Sequence, residues 1–169
     1  MNLPLRATAP AFSALEFRAA LGMFATGVTV VTARTATGEL VGLTANSFNS
    51  VSLDPPLVLW SLSQRSLSLD AFRTGSHYAI NVLAADQHEL ALRFATPLSD
   101  RWDGVAWTPG VAGAPLITGA RAHFECFNKS RYEEGDHVIF VGQVEQVAHR
   151  PEATPLLFHG GRFYTEHPL

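Results

Sequence analysis

The sequence predicts a mainly β fold, a barrel with a few short helices. Six or more strand-like segments are joined mostly by short links, and the helical patterns between them are few and short. A doubly wound sheet would instead alternate its strands with long helices. With 169 residues, of which 47% are hydrophobic, the chain is long enough for one well-filled core. We therefore expect a single domain over residues 1–169, with residues 1–12 as a loose N-terminal arm.

The first third of the chain predicts one helix followed by a β-hairpin. Ser13 and Glu16 stand at the spacing of a capping box, which predicts a helix through the apolar residues that follow. The β-branched run at residues 28–33 predicts a strand, because such side chains pack well on a pleated surface. A turn around Gly38 and a second strand over residues 39–44 complete the hairpin.

The middle third predicts two strands, each followed by a short helix. Residues 57–62 are apolar and are typical of a buried strand. Ser66 can cap the next helix, which should end at Gly75 because glycine commonly follows the last helical turn. Residues 77–83 predict the second strand. Residues 86–95 predict the second helix, with its apolar side chains on one side and a proline soon after its end.

The last third returns to β patterning after a segment, residues 96–120, that is rich in Gly and Pro and predicts no regular element. Two strands follow, over residues 121–131 and 137–147, with a turn over residues 132–136 between them. Residues 155–164 close the chain with two short strand-like pieces around a Gly-Gly turn. These strands complete the set from which we predict a barrel.

Charge and hydropathy exclude two classes of partner. The net charge is -3, and the 12 Lys and Arg residues form no basic cluster, so we expect no nucleic-acid partner. The most apolar stretch, residues 19–33, is short and is interrupted by glycines, so we expect no membrane partner. Arg6 is the only positive charge before residue 18, and no compact apolar core follows it, so a secretory signal is not supported. We expect a cytoplasmic protein.

Cysteine, histidine and glycine patterns also limit the chemistry. Cys126 is the only cysteine, so no intramolecular disulfide can form, and its strand-like context favours a buried structural thiol over a nucleophile. The seven histidines do not fall at metal-binding intervals, so we expect no metal site. The chain has neither a Gly-x-Gly-x-x-Gly element after a strand nor a Gly-x-x-x-x-Gly-Lys loop. A nucleotide would have to be held in another way.

Residues 44–52 form a segment dense in small polar side chains, and it leads through a Pro-Pro pair into the predicted strand 57–62. Its hydroxyl and amide groups are small donors and acceptors, interleaved with apolar residues, and suit a flat polar ligand. A simpler interpretation is a loop whose side chains bond to their own backbone. The position beside a buried strand favours a site, because ligand-binding loops commonly sit on rigid strands.

Two further residues are candidates for a site. His137 follows a Gly-Asp turn and opens a long apolar strand, where an imidazole can bind a carbonyl group or stack on a ring. It can equally be a rim histidine with a structural hydrogen bond. Tyr164, near the end of the chain, has the same ambiguity, because an aromatic residue there can simply pack.

Five ordered blocks resemble the short-chain flavin reductase family, the small components that supply reduced flavin to two-component monooxygenases. The resemblance covers almost the whole chain. The blocks are residues 17–32, residues 42–59, Asn81-Val82-Leu83, Gly135-Asp136-His137 together with Phe140-Val141-Gly142, and residues 155–164.

The resemblance implies an FMN-binding split barrel, which is a six-stranded Greek-key barrel with helices at its edges, and a homodimer with flavin sites near the interface. It implies an enzyme, an NAD(P)H-dependent flavin reductase that passes hydride to FMN or FAD and serves a partner flavin-dependent monooxygenase. Either NADH or NADPH fits this description. No long basic loop marks a 2′-phosphate site, so NADH is mildly preferred.

The same resemblance implies roles for individual residues. His137 would be the catalytic-site contact to the nicotinamide nucleotide, and Phe94 and Tyr164 would be walls of that site. The flavin contacts would be Thr29, Thr44, Ala45, Asn46, Ser47, Ser50, Val51 and Ser52, and Ser61, Leu62, Ser66 and Ser68 would extend the cradle toward the phosphate.

Two other functions remain open on the same type of barrel. One is a non-catalytic flavin carrier or sensor, because one fold hosts many functions. The other is an enzyme like pyridoxamine-phosphate oxidase, which needs basic residues for a substrate phosphate. Arg65, Arg73 and Arg93 are available for that phosphate, but the Gly135-Asp136-His137 block argues against this function.

Overall fold

A computed structural model describes residues 8–97 and 100–168, which form a mainly β fold with a few short helices. The first seven residues of the predicted N-terminal arm lie outside the described residues, and residues 8–13 belong to no helix or strand. The helices are α1 (Ala14–Leu21), α2 (Leu69–Thr74) and α3 (His88–Ala95). The strands are β1 (Thr26–Gly27), β2 (Thr29–Arg34), β3 (Leu40–Ala45), β4 (Asn49–Leu53), β5 (Pro56–Ser63), β6 (His77–Val82), β7 (Trp107–Pro109), β8 (Pro115–Ile117), β9 (Ala122–Glu134), β10 (His137–His149), β11 (Leu157–His159) and β12 (Arg162–Tyr164).

The main sheet has seven antiparallel strands in the order β3-β2-β6-β9-β10-β5-β4. Two small sheets, β1-β11-β12 and β7-β8, accompany it. The mainly β prediction is therefore confirmed. The hydrogen-bonded ladder ends at β3 on one side and at β4 on the other, and no strand pair among the described residues joins these two edges.

The core consists of two clusters on opposite sides of β2. Val31 and Ala33 belong to the first cluster, which centres on Trp60, while Val28 and Val30 belong to the second, which packs against α3. Residues 29–33 of β2 are consequently buried without interruption. A strand covered on both faces needs apolar or β-branched side chains at every position, and this explains the unbroken run from which the strand was predicted.

Helix α1 begins with the predicted capping box. The Ser13 backbone N–H donates to the Glu16 carboxylate at 2.8 Å, and the Glu16 backbone N–H donates to the Ser13 hydroxyl at 3.2 Å. The bond from the Ser13 backbone also lowers the pKa of Glu16. No residue of this helix is buried, and Leu15 and Leu21 are 77% and 58% exposed. The helix therefore presents apolar side chains that a single chain leaves uncovered.

Three local predictions differ from the structure. The end of the segment 44–52 is a strand, β4, because its residues pair with β5 as an edge of the main sheet. The turn expected over residues 132–136 is only Gly135-Asp136, where Gly135 has a φ of +60°, and β9 continues to Glu134. The Gly- and Pro-rich segment contains the β7-β8 pair, which the sequence did not predict.

None of the described helices is long and apolar enough to cross a membrane. Among residues 8–97 and 100–168, no group of three or more His, Cys, Asp or Glu side chains is placed to hold a metal ion.

Cys126 is fully buried on β9, and we predict that its thiol is unreactive in the folded protein. Burial raises the pKa of this thiol to about 12, so it stays protonated at pH 8 and is a poor nucleophile. A disulfide reagent that reports free thiols should detect no cysteine in the native protein and one cysteine per chain in 6 M guanidinium chloride, about the concentration that unfolds most domains. Rapid reaction of the native protein would contradict the buried position.

Candidate functional site

Three adjoining pockets form one cleft beside α3, and predicted site residues from β3, β5 and the segment before α2 line it. The apolar pocket has a volume of about 290 Å³, the central pocket about 320 Å³ and the tryptophan pocket about 260 Å³. Thr44 and Ala95 border both the apolar and the central pocket. Leu67, Ser68 and Arg101 border both the central and the tryptophan pocket. Each pocket therefore shares lining residues with the next, and each is near the lower end of the ordinary size for a ligand pocket.

The apolar pocket lies between α3 and the small sheet that contains β11 and β12. Its walls include Ala91 of α3, Phe158 and Phe163, and Asn46 is among its few polar residues. The Thr44 hydroxyl donates to the Ala91 carbonyl at 2.6 Å, which ties the end of β3 to α3. A mainly apolar wall with a few polar groups suits a flat ring system.

The central pocket brings two guanidinium groups near a set of hydroxyl groups. Arg65, Ser66, Ser68 and Arg101 border it. Arg101 Nη1 donates to the Gly42 carbonyl at 3.0 Å, whereas its buried Nε has no hydrogen-bond partner in the described part of the chain. Guanidinium and hydroxyl groups bind phosphate well, and the unpaired N–H is a donor that an anion can satisfy. This arrangement fits a phosphate group.

The tryptophan pocket is built around Gly42, where two aromatic rings approach the backbone closely. A Cβ at this position would lie 2.7 Å from Phe94 Cε1 and 3.0 Å from Trp102 Cζ2, so only glycine leaves room for both rings. Glu39 and Trp102 both border this pocket, although they lie far apart in the sequence. The centroid of the Trp102 ring lies 4.9 Å from that of Phe94, at an interplanar angle of 73°.

Six of the predicted cofactor contacts border this cleft. They are Thr44, Asn46, Leu62, Ser66, Ser68 and Phe94. The Ser66 hydroxyl accepts the Ser68 backbone N–H at 3.3 Å, and Ser68, not Ser66, occupies the N-cap position of α2. The structure therefore brings together predicted residues from four separate stretches of the sequence.

Four other predicted contacts border none of the three pockets but hold the end of β3 and the segment after it in place. Thr29 is 2% exposed, and its hydroxyl donates to the Ala45 carbonyl at 2.7 Å. Ala45 is itself buried. The Ser47 hydroxyl accepts the Ser61 backbone N–H at 2.9 Å, so the segment after β3 is tied to β5. These bonds fix the geometry of the end of β3.

The remaining polar-segment residues lie elsewhere. Ser50, Val51 and Ser52 belong to the edge strand β4, and none of them borders the three pockets of the described residues. Ser50 and Val51 are exposed. The structure of one chain does not bring these three residues to the cleft.

His137 opens β10 directly opposite Ser63, the last residue of β5. Ser61 and Leu62 of β5 are predicted flavin contacts, and Leu62 borders the central pocket. His137 therefore lies on the strand next to the one that carries this pocket residue. The imidazole is exposed, and its Nδ1 lies 2.7 Å from the Asp136 carboxylate. This bond lowers the pKa of Asp136, so the carboxylate remains an ionised acceptor over the neutral range. With Nδ1 held by Asp136, Nε2 remains the nitrogen for a ligand.

Tyr164 lies on β12 and is exposed, with its ring centroid 6.2 Å from that of His159. Its chain neighbour Phe163, not Tyr164 itself, borders the apolar pocket.

Sequence reasoning missed Arg101, Trp102 and Gly42 as parts of the site. Arg101 reaches Gly42 across a separation of 59 residues, from a segment without regular patterning. A local sequence signal existed only for Gly42, which interrupts an otherwise apolar strand and so marks a close approach of another group.

Comparison with known proteins supports one family. A family model described as flavin reductase like domain matches residues 21–167. The FMN reductase (NADH) SmoA of Agrobacterium fabrum is 50% identical over 148 residues, which are 88% of this chain and 83% of SmoA. The reductase subunit HsaB of a flavin-dependent monooxygenase from Rhodococcus jostii is 37% identical over 155 residues, 92% of this chain and 79% of HsaB. Two longer relatives from Rhizobium meliloti are covered over only 44% and 59% of their lengths.

A solved structure has the same fold. The NADH:FAD oxidoreductase SgcE6 of Streptomyces globisporus, in complex with NAD and FAD fragments, superposes with a TM-score of 0.87 at 43% identity. The match covers 91% of this chain and 93% of that one. The family model and the relatives show that the chain belongs to the flavin reductase-like family.

Proposed function

We propose that this chain is an NADH-dependent flavin reductase that passes reduced flavin to a separate flavin-dependent monooxygenase. The observation that carries the proposal is the division of the cleft into an apolar pocket and an adjoining pocket with two guanidinium groups. The apolar pocket suits a flavin ring, and the second pocket suits its phosphate. The similarity to an FMN reductase that uses NADH and to a monooxygenase reductase subunit supports the same function.

The residues of the cleft fit a flavin. Ala91 and Phe163 would pack against its ring, and Asn46 would offer the ring a polar contact. The hydroxyls of Ser66 and Ser68 and the unpaired Nε of Arg101 would bind its phosphate. When both cofactors are bound they supply the chemistry, because a hydride passes directly from nicotinamide C4 to flavin N5. The task of the protein is then to bind and orient them.

In this proposal His137 binds the nicotinamide nucleotide. Asp136 orients the imidazole through Nδ1, and Nε2 is left for the incoming nucleotide. Thr29, Ala45, Ser47 and Ser61 keep the end of β3 in place beside the flavin. Ser50, Val51, Ser52 and Tyr164 remain predicted contacts. To reach them, part of the ligand, or part of a second chain, would have to extend beyond the cleft.

We also propose that a single domain folds as a six-stranded Greek-key split barrel and works as a homodimer. The two edge strands of the main sheet, β3 and β4, are consecutive in the sequence, so the sheet must curl for one to lead directly into the other. The Ser47–Ser61 hydrogen bond ties the segment between them to β5. The apolar residues of α1 are uncovered in one chain, and burying each large one contributes about 1.5–3 kcal/mol. A second copy is the natural cover. Light scattering should give twice the mass of one chain.

The reductant NADH and the lone free cysteine favour the cytoplasm, a compartment that keeps thiols reduced.

The test is a direct assay of hydride transfer. Purified protein is mixed with NADH and with FMN or FAD, and absorbance is followed at about 340 nm, the nicotinamide band. Rapid NADH loss that depends on added flavin supports the reductase. Flavin that stays bound but is not reduced by NADH would overturn it in favour of a carrier or sensor. The same assay with NADPH measures the preference for the nicotinamide nucleotide.

A further inference from the structure

We propose that Gln64, in the turn after β5, is a positioning residue that orients the His137 imidazole through the Gly135-Asp136 turn. This inference rests on the proposed function, because it deepens the role that His137 has there. Gln64 borders none of the three pockets. Its hydrogen bonds run instead to the hairpin that carries His137.

The pair of Asp136 and His137 needs a constraint from outside its own hairpin. It lies at the tip of a hairpin whose two strands, β9 and β10, have 13 residues each. The Asp136 side chain is 88% exposed and that of His137 is 46% exposed. Exposed pairs fix their side chains only weakly, because water competes with the bond and both side chains lose freedom. A Cβ at Gly135 would meet nothing within 4 Å, so the tip is not held by packing at that position.

Gln64 supplies the constraint with two hydrogen bonds. Its backbone N–H donates to the Asp136 carbonyl at 2.9 Å, and its side-chain amide donates to the Gly135 carbonyl at 3.3 Å. These carbonyls belong to the two peptide groups that flank Asp136, and the orientation of those groups sets the backbone dihedrals of Asp136. Gln64 thereby directs the carboxylate that lies 2.7 Å from His137 Nδ1.

The two bonds differ in what they require of the sequence. The backbone bond continues the ladder between β5 and β10, in which Ser63 pairs with His137, so any residue other than proline can make it. The side-chain bond exists only because residue 64 carries a donor of the right length. A substitution at Gln64 therefore removes one bond and leaves the ladder intact.

Gln64 is itself held in a fixed place. It follows β5, whose Trp60 is fully buried in the core. The turn after the strand is closed by the Ser66 N–H, which donates to the Ser63 carbonyl at 3.0 Å, and by the Arg65 N–H, which donates to the Ser63 hydroxyl at 3.3 Å. A donor on such a turn can hold a neighbouring hairpin tip in one position.

The charge of Asp136 decides which nitrogen of His137 carries the proton. The hydrogen bond from His137 is the main cause that lowers the pKa of Asp136, and Arg65 adds a smaller attraction. An ionised carboxylate can only accept, so Nδ1 is the donor in this bond. In a neutral imidazole the proton is then on Nδ1, and Nε2 is an acceptor. Loosening the turn should reduce the share of this tautomer.

The kinetic test is Gln64→Ala, which should lower kcat/KM for NADH about 2- to 10-fold, the effect of one lost hydrogen bond. The dissociation constant for flavin should stay within about twofold. Gln64→Lys keeps an N–H donor on a long side chain and should recover most of the loss. Gln146→Ala, which truncates an exposed glutamine near the other end of β10, is the matched control and should change neither constant. Unchanged kcat/KM in Gln64→Ala, or an equal loss in Gln64→Lys, would overturn the inference.

A double-mutant cycle tests whether Gln64 acts through Asp136. Asp136→Ala removes the carboxylate that orients the imidazole. In this background Gln64→Ala should lower kcat/KM for NADH by less than about twofold, because residues that act through one another are not additive. If the full loss persists in this background, Gln64 acts by another route and the inference is wrong.

Nitrogen NMR of His137 gives a readout that needs neither flavin nor NADH. At a pH where the ring is neutral, the unaltered protein should carry the proton on Nδ1, and Gln64→Ala should show a smaller share of this tautomer. Equal shares in the two proteins would overturn the inference. If the unaltered protein does not oxidise NADH when flavin is added, the proposed function has failed. The NMR comparison still decides whether Gln64 orients His137.

Discussion

His137→Ala is expected to lower kcat/KM for NADH by about 5- to 150-fold, which corresponds to a loss of about 1–3 kcal/mol of binding to the nucleotide. The dissociation constant for flavin should change by less than about twofold. His137 lies on β10, the neighbour of β5, and it borders none of the three pockets. Steady-state kinetics with varied NADH at saturating flavin measures the first quantity. Fluorescence titration with flavin measures the second.

A matched control exists on the same strand. His149 ends β10, as His137 begins it, and both histidines are exposed. His149→Ala should therefore leave both constants unchanged. Asp136→Asn keeps the imidazole but removes the carboxylate that orients it, so it should produce a smaller loss than His137→Ala. Equal kinetics for His137→Ala and the unaltered protein would remove His137 from the reaction. An equal loss of flavin affinity would show that the substitution acts through the flavin site.

The features that were predicted correctly from the sequence are those decided by neighbouring residues. The capping box depends only on Ser13 and Glu16, which lie within one helical turn, so its pattern specifies its geometry. The hairpin of β2 and β3 depends on a β-branched run and a turn at Gly38, which has a φ of +89°. Both features follow from short-range chemistry and survive in the folded chain.

The features that escaped prediction depend on distant neighbours. Strand β4 is a strand because β5 offers it a hydrogen-bonding edge, although its own serines and asparagine favour a loop. The β7-β8 pair has two prolines that face each other at one end of its register, Pro109 opposite Pro115, and prolines usually indicate the absence of a strand. In both cases tertiary pairing overrides local preference.

The candidate site shows the same division. Ser66 and Ser68 were predicted as an extension of the flavin cradle toward the phosphate, which the family resemblance implies, and they border the central pocket. Arg101 was not recognised, because its role depends on a bond to Gly42 that only the folded chain creates. Ser50 and Val51 were grouped with Thr44 because they are close to it in the sequence. In the structure a bend separates them from Thr44, and they lie on β4 at the edge of the main sheet, where side chains alternate between the two faces.

Trp60→Ala is expected to lower the free energy of unfolding by about 3–5 kcal/mol, a large share of the stability of a single domain. Trp60 is fully buried, stacks on Phe140 with ring centroids 4.8 Å apart, and meets Phe72 and Tyr78 edge-on. Truncation leaves a cavity that these rigid rings cannot fill. Since Trp60 precedes Ser61 on β5, the cavity also loosens a strand that supports the cleft. Urea unfolding followed by circular dichroism measures the loss.

Trp60→Phe is the matched control, because it keeps an aromatic ring against Phe140 and removes only part of the volume. We expect this variant to lose at most about 1–2 kcal/mol. If Trp60→Ala lost no more than is expected for Trp60→Phe, volume at this position would matter little. In that case the aromatic cluster would not be the centre of stability, and the cleft would owe its shape to the bonds at the end of β3.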